Sequence, residues 1–171
     1  EKRGQAEQAL GRSRGGFSTK IHLACTDEDT VVGVILTAGQ AGDAPAFDPL
    51  WEQAAPRVPD VDEVVGDRSY DSDAIRHGLL NEGVMPQVPN HPRRKEFWDL
   101  YRPAYRERNR VERLVGKLKQ YRRVATRYDK LAATFLGFVH LALTVIRLGR
   151  VDESPLFRDN RLRHGGRRDA V

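Results

Sequence analysis

The residues best suited to chemistry lie between positions 105 and 119. Drawn as a helix at about 100° per residue, Tyr105, Arg108, Glu112 and Lys119 fall on one stripe about 60° wide. Val111, Leu114, Val115 and Leu118 make a neighbouring apolar stripe that has to face a core, while Arg106, Arg110, Arg113 and Lys117 form a third, wholly basic face. One carboxylate beside a core-facing edge and surrounded by cations has the composition of a metal-ion site acting on DNA. The acid holds the cation and the basic side chains hold phosphates. Arg108 and Glu112 are also four apart, the spacing of an exposed helical ion pair contributing about 0.3 kcal/mol. Spacing alone does not separate the two readings.

Asp67 is the second acidic candidate. It lies just past the apolar run Val61 to Val65, where α/β sheets present ligand-binding groups, and Arg68, Ser69, Tyr70 and Asp71 keep its surroundings polar. A turn or helix-cap aspartate fits the same position. Hard cations such as Mg²⁺ prefer carboxylate oxygens, so Asp67 and Glu112 are the candidate pair, and only the fold can bring them together.

The elements that must position these residues are legible from periodicity. Ile21, Leu23 and Cys25 alternate with Lys20, His22 and Ala24, a half-buried strand, and Val31 to Thr37 supplies its hairpin partner across an Asp27-Glu28-Asp29 turn. Gly39 to Asp43 ends the hairpin, and Asp43 or a neighbour caps a helix through about Ala54 with Phe47, Leu50 and Trp51 on one face. Val61 to Val65 reads as a short strand. A helix capped by Asp71 or Ser72 carries Ile75, Leu79 and Leu80 and stops at Gly83, and Val84 to Val88 is a further apolar segment. Pro86, Pro89 and Pro92 bound a basic loop through Arg93-Arg94-Lys95. One long helix is expected from about Pro103 to Val124 and another from about Lys130 to Leu148. Strands alternating with helices predict an α/β fold with a helical C-terminal third. The expected division is a flexible lead-in over 1–16, a folded domain over 17–148 and a basic disordered tail over 149–171.

Composition narrows the function classes. The 171 residues suit one domain, and 39% hydrophobic residues are enough for a core. Residues 1–90 carry 8 basic and 15 acidic side chains and residues 91–171 carry 21 and 9, so the net +5 conceals a split of −7 and +12. That asymmetry points to a polyanionic partner on the C-terminal side. A single cysteine, Cys25, excludes an internal disulfide or Cys-based zinc site and suggests an intracellular chain. Glu1 to Leu10 carries no secretory signal. Leu131 to Leu148 is interrupted by Thr134, His140, Thr144 and Arg147, so a buried helix is expected there instead of a membrane span.

The motif residues match a family. Tyr105-x2-Arg108-x3-Glu112-x6-Lys119 resembles the Y-(2)-R-(3)-E-(6)-K signature of bacterial insertion-sequence DDE transposases. The segment GDRSYDS, with Asp67, Ser69, Tyr70 and Asp71, looks like the one bearing their second catalytic aspartate. GRSRGGFSTK (11–20), QAGD (40–43) and ATRYDKLAA (125–133) are similar to further family segments, and the likeness covers roughly 10–150. The resemblance implies a ribonuclease H-like mixed sheet and three carboxylates holding two Mg²⁺ ions, with Mn²⁺ as a substitute. It implies cleavage of double-stranded DNA at element ends and transfer to a target. Asp67 and Glu112 would be metal ligands, Arg108 and Lys119 would contact DNA, and Tyr105 would support the site. It further implies self-association in a transposition complex and a bacterial, cytoplasmic, nucleoid-associated enzyme without a membrane partner. The family's first aspartate lies on a strand upstream of the Gly-Arg-rich segment, and Glu1 to Gln8 shows neither a strand pattern nor an aspartate. The expectation is therefore an incomplete sheet missing its first strand, in a fragment that is weak or inactive alone. The alternative is a catalytically silent DNA-binding or dimerisation module.

Three smaller readings complete the sequence. The five histidines show no metal-ligand spacing, and His140 is expected at a core or interface. Arg93 to Trp98 fits either a DNA-tracking loop with stacking aromatics or a solvated loop whose aromatics tuck inward. Cys25 is expected as a small buried hydrophobe.

Overall fold

The alternation at Ile21 to Cys25 does form the widest piece of sheet. In the computed structural model, which describes residues 4, 7–13 and 15–153 (side chains to residue 149), β2 (Gly16–Cys25) pairs antiparallel with β3 (Val31–Ala38). The register runs from Thr19 opposite Ala38 to Ala24 opposite Gly33, with a bulge between Ala24 and Cys25. Asp27 closes the turn by accepting hydrogen bonds from the amides of Asp29 and Thr30 at 2.9 and 2.7 Å. A short β1 (Gly11–Ser13) pairs antiparallel with the start of β2, with Gly11 opposite Ser18. Residues 11–13, expected within a flexible lead-in, are thus sheet; Gly16 makes the tight return with φ of +105°.

The second sheet is a βαβ unit. β4 (Glu63–Val65) runs parallel to β5 (Met85–Gln87), and α2 (Asp73–Asn81) makes the crossover. Gly83 ends that turn with φ of +80°, as its placement after the apolar-periodic residues predicts. α1 (Phe47–Ala54) lies against β3, where a Cβ on Gly33 would sit 3.1 Å from the Leu50 carbonyl oxygen. Among the described residues no strand joins the two sheets, so the fold is a mixed α/β arrangement of one antiparallel and one parallel sheet with helices.

The long helix expected from Pro103 to Val124 is three: α3 (Arg102–Arg106), α4 (Asn109–Leu118) and α5 (Arg122–Ala125). The first break is a change of hydrogen-bond span, since the amides of Glu107, Arg108 and Arg110 reach back three residues to Ala104, Tyr105 and Glu107. The second is a change of direction, because Tyr121 is extended at φ −83° and ψ 104°. α6 (Ala132–Glu153) matches the second expected helix but runs past 148, into the segment expected as tail. The remaining tail, from 154, lies outside the described residues, as do 1–3, 5, 6 and 14 of the lead-in.

Two apolar clusters hold these elements. Val34, Leu114, Leu118, Val124, Phe135, Val139, Ala142 and Leu143 bury the helical third against β3, with Ile21, Leu23 and Cys25 packed on the same cluster. Ile75, Leu79 and Val84 pack with Phe47, Trp51, Val64 and Tyr70 around α2. Cys25 is only half-buried, and burial raises its thiol to about 11. By length and composition the window Ala132–Gly149 is apolar enough to cross a membrane, contrary to the sequence expectation. Its inner face nonetheless belongs to the first cluster, and Arg147 at its end pairs with the buried Asp29 at 2.8 Å. His140, expected in a core or interface, is exposed on this helix.

Candidate active site

Asp67 sits two residues past β4 and opens a 3₁₀ turn at Arg68–Tyr70, where its Oδ1 accepts the Arg68 amide. This is the cap geometry that a turn aspartate would show. Its other oxygen, Oδ2, accepts from Nη2 of Arg108 at 3.0 Å, while Nη1 of the same guanidinium donates to Glu112 Oε1 at 2.6 Å. Residues 67 and 112 therefore meet on the two nitrogens of one fork. The helical ion pair and the long-range convergence are both realised, through Arg108.

The electrostatics of the trio favour a cation. Two carboxylates against one guanidinium leave the group one charge negative. The side chains of Asp67 and Glu112 are 52% and 56% exposed, open to ions and DNA. Burial opposes the charge on Arg108, but Asp67, Tyr105 and Glu112 outweigh it and raise its pKa. Pairs this exposed contribute at most about 1 kcal/mol each, so the trio is not there chiefly for stability. Two hard-oxygen donors suit Mg²⁺, which usually takes one or two carboxylates and completes its shell with water and substrate phosphate. No group of three or more His, Cys, Asp or Glu suited to a metal occurs among the described residues.

The other signature residues divide. Tyr105 is half-buried in α3 close enough to influence Arg108, but Lys119 is exposed at the opposite end of α4, about 16 Å along the axis from Arg108. Three of the basic-face residues are partnered with the β2–β3 turn or with Glu107 at the end of α3. Arg110 donates to the Thr26 carbonyl at 3.1 Å and pairs with Glu107, Arg113 pairs with Glu28 at 3.2 Å, and Lys117 reaches the Glu28 carbonyl at 3.4 Å. Arg106 is exposed. The basic loop is also split: Trp98 tucks against His77 and Arg76, whereas Phe97 is 70% exposed and Arg94 is tied to Asp71 and Asp73.

Spacing gave no hint of the polar framework under the site. Lys20 donates to Asp43 at 2.6 Å and to the Ala41 carbonyl at 2.7 Å, and Asp43 also accepts from Ser69. Burial alone would raise the Asp43 carboxyl; Lys20 and Ser69 overcome this and lower it. Residues of three separate motifs, at 11–20, 40–43 and 66–72, thus meet at one ion pair. The motif at 125–133 is structural too, since Arg127 anchors β2 through Thr19 and the Ala9 carbonyl. Buried His22 bridges the sheet to the site loop, with Nδ1 2.8 Å from the Tyr70 hydroxyl and Nε2 2.8 Å from Thr37 Oγ1. Burial, with Asp43 and Asp67 nearby, pushes Tyr70 up to about 12.

Burial also lowers the His22 pKa, which gives a signed expectation. A depressed folded pKa means that its stabilisation is complete above about pH 6.5 and is lost as pH falls through the lower folded value. The Tm should therefore drop as pH falls below about 6.5, and His22→Gln should flatten that step. An unchanged slope in the variant would show that another group titrates there.

A family model described as the transposase DDE domain matches residues 2–147, and the chain belongs to that family. It is a DDE-type insertion-sequence transposase by descent, from a family of DNA-cleaving and DNA-joining enzymes that generally use divalent metal ions. Among curated proteins it is similar to a putative transposase for insertion sequence element IS6501 from Brucella ovis. The two are 32% identical over 133 residues, covering 77% of this chain and 99% of that relative. No solved structure matches.

Proposed function

We propose that this chain is the catalytic portion of a transposase with a ribonuclease H-like core, performing Mg²⁺-dependent DNA strand cleavage and strand transfer, with Asp67 and Glu112 as ligands. The reading is carried by one observation, the convergence of these two carboxylates, from different elements, on the guanidinium of Arg108. A divalent ion bound there supplies Lewis-acid polarisation of the phosphodiester and activation of the attacking hydroxyl.

The chain's own residues set that chemistry up. β4 delivers Asp67 to its C-terminal end, and the 3₁₀ turn fixes the carboxylate through the Arg68 amide. Arg108 keeps the two acids at one point before DNA arrives. Its planar fork suits phosphate as well as carboxylate, so Arg108 is also placed to bind the DNA backbone. Arg106 and Lys119 face solvent and extend the phosphate-binding surface, with double-stranded DNA as the partner. Hard-ion affinity rests on ligand charge, and with two of the family's three carboxylates at the site the chain binds Mg²⁺ more weakly and cuts slowly or not at all by itself.

The test is DNA carrying element ends, incubated with Mg²⁺ or Mn²⁺ and the chain, both alone and extended upstream of Glu1. The expected result is EDTA-sensitive nicking and joined products, strongest for the extended form. Salt-sensitive DNA binding with no cut product in either form would replace this reading with a silent DNA-binding module.

A further inference from the structure

The motifs at 11–20 and 125–133 supply none of the residues that meet at Arg108, yet the fold brings the two together. Arg127 is the clamp. Its guanidinium donates to Thr19 Oγ1 and the Ala9 carbonyl at the root of the β1–β2 hairpin, and to the carbonyls of Asp129 and Lys130 in its own loop. The root is fixed from the other side as well: the Gly39 amide donates to the Ser18 carbonyl at 3.1 Å, and a Cβ on Gly39 would stand 3.0 Å from that oxygen. Ser13 Oγ closes the tip on the Gly16 carbonyl at 3.0 Å.

Beyond that root the hairpin presents side chains that serve no core. Arg12 stands directly opposite Phe17, so both project from the face of the hairpin that carries Thr19. Phe17 is 66% exposed; next to Arg127, Tyr128 is 59% exposed. Arg12 and Lys130 are exposed too, and among the described residues no carboxylate pairs with either. The local charge is one-sided. Residues 8–20 hold three cations and no acid, and residues 121–133 hold four cations and one acid, Asp129, whose side chain is 9% exposed and paired with Arg123. The two segments thus carry a net +6, more than the +5 of the whole chain.

We propose that the hairpin tip and the 127–130 loop form a second DNA contact, a platform for the unpaired bases of a single strand, on which Phe17 and Tyr128 stack the bases while Arg12 and Lys130 bind the phosphates. A duplex shows a protein its backbone and groove edges and keeps its base faces inside the stack. Open aromatic faces beside cations fit a strand whose bases are unstacked, and every base has such a face, so the contact tolerates any sequence. One exposed ring is ordinary on a protein surface. Here two of them flank a single contact between residues 108 apart in sequence, each ring beside an unpaired cation. Gly16 leaves open space at the tip, where no atom lies within 4 Å of an added Cβ, so a sugar–phosphate backbone can come close. The platform rests on DNA as the proposed partner, but it shares no residue with the Asp67–Glu112 site and needs neither metal nor cleavage, so the two fail separately.

The test is fluorescence anisotropy of the full chain in EDTA, with a fluorescein-labelled oligothymidine against a duplex of the same length. Oligothymidine is expected to bind saturably. Phe17→Ala and Tyr128→Ala should each weaken it by at least about fivefold, the loss expected for one stacked base, and change duplex binding by less than about twofold. Arg12→Ala should weaken both probes and lower the single-strand salt slope by about 0.7. Phe97→Ala, at a ring 70% exposed on a different loop, is the control and should leave both probes unchanged. Should an alanine variant lose its fold, photo-cross-linking of a bromouracil-substituted strand to the unaltered chain decides, with Phe17 and Tyr128 as the expected sites. Cross-links elsewhere, oligothymidine binding indifferent to Phe17 and Tyr128, or no such binding at all overturns the proposal, whether or not the extended chain cuts DNA. Equal weakening of duplex and single strand would overturn the choice of unpaired bases and make the surface a duplex contact.

Discussion

Glu112→Gln is expected to reduce Mg²⁺-dependent DNA cleavage and joining by at least about a hundredfold, while leaving the Tm within a few degrees. The amide retains the size and one hydrogen-bond acceptor of the carboxylate, and Arg108 keeps Asp67 as its ion-pair partner at 3.0 Å. What disappears is the charge of one of the two proposed ligands. Removing even a group that merely supports a metal ligand costs about 10–100-fold, so losing a ligand from a two-carboxylate set lies at or beyond the upper end. Stability hardly moves because the lost ion pair is exposed and contributes at most about 1 kcal/mol. Glu107→Gln is the matched control. Its carboxylate lies on the same segment but pairs with Arg110, and cleavage should be unaffected. If both variants cut DNA at the unaltered rate in the form that supports activity, Glu112 is a surface ion-pair residue and nothing more.

Asp71→Asn carries the largest stability effect, a loss of about 3–5 kcal/mol in chemical denaturation. The Asp71 side chain is 1% exposed and accepts from Arg76 Nε at 2.9 Å, Arg94 Nη1 at 2.8 Å and the His91 amide at 2.5 Å. Arg76 has no exposed surface and is held by Asp71, the Val88 carbonyl at 2.6 Å and the ring of Trp98. Burial alone would raise the Asp71 carboxyl, but the bonds from His91 and Arg76 and the charges of Arg76 and Arg94 reverse this and lower it. Its contribution is thus present above about pH 3.8 and lost as pH falls through the lower folded value. Asparagine keeps the shape and removes the charge, leaving Arg76 ionised in the interior without a counter-ion. The loop from His91 to Trp98 should become open to proteolysis at the same time. Asp73→Asn, at a carboxylate 67% exposed, is the control and should cost no more than about 0.5 kcal/mol. A loss below about 1 kcal/mol for Asp71→Asn would mean that Arg76 finds another partner or water.

Asp71 also marks where sequence reasoning stops. It reads as a helix cap beside a catalytic aspartate, and Ser72 does precede α2, but the carboxylate turns inward to two arginines from 5 and 23 residues downstream. No periodicity signals such a pairing, because ion pairs across loops depend on where the chain returns. The same holds for Lys20, Asp43 and Ser69, each visible as part of a motif and none as parts of a single framework.

The amino-acid order by itself determined the hairpin, the short strand and helix that follow it, the helical third and the signature at Tyr105, Arg108, Glu112 and Lys119, because local periodicity and fixed spacing are properties of adjacent residues. It overstated the helix at 103–124, since a continuous helical pattern does not reveal the amides of Glu107, Arg108 and Arg110 reaching back three residues, nor the extended Tyr121. Tertiary structure alone decided that Asp67 meets Glu112 on one guanidinium, and that Arg110, Arg113 and Lys117 lean on the Thr26–Glu28 turn. It also decided that, among the described residues, the two sheets stand apart with a cavity between them. Those outcomes rest on contacts between residues tens of positions apart, whose energies exist only once the chain has folded back on itself.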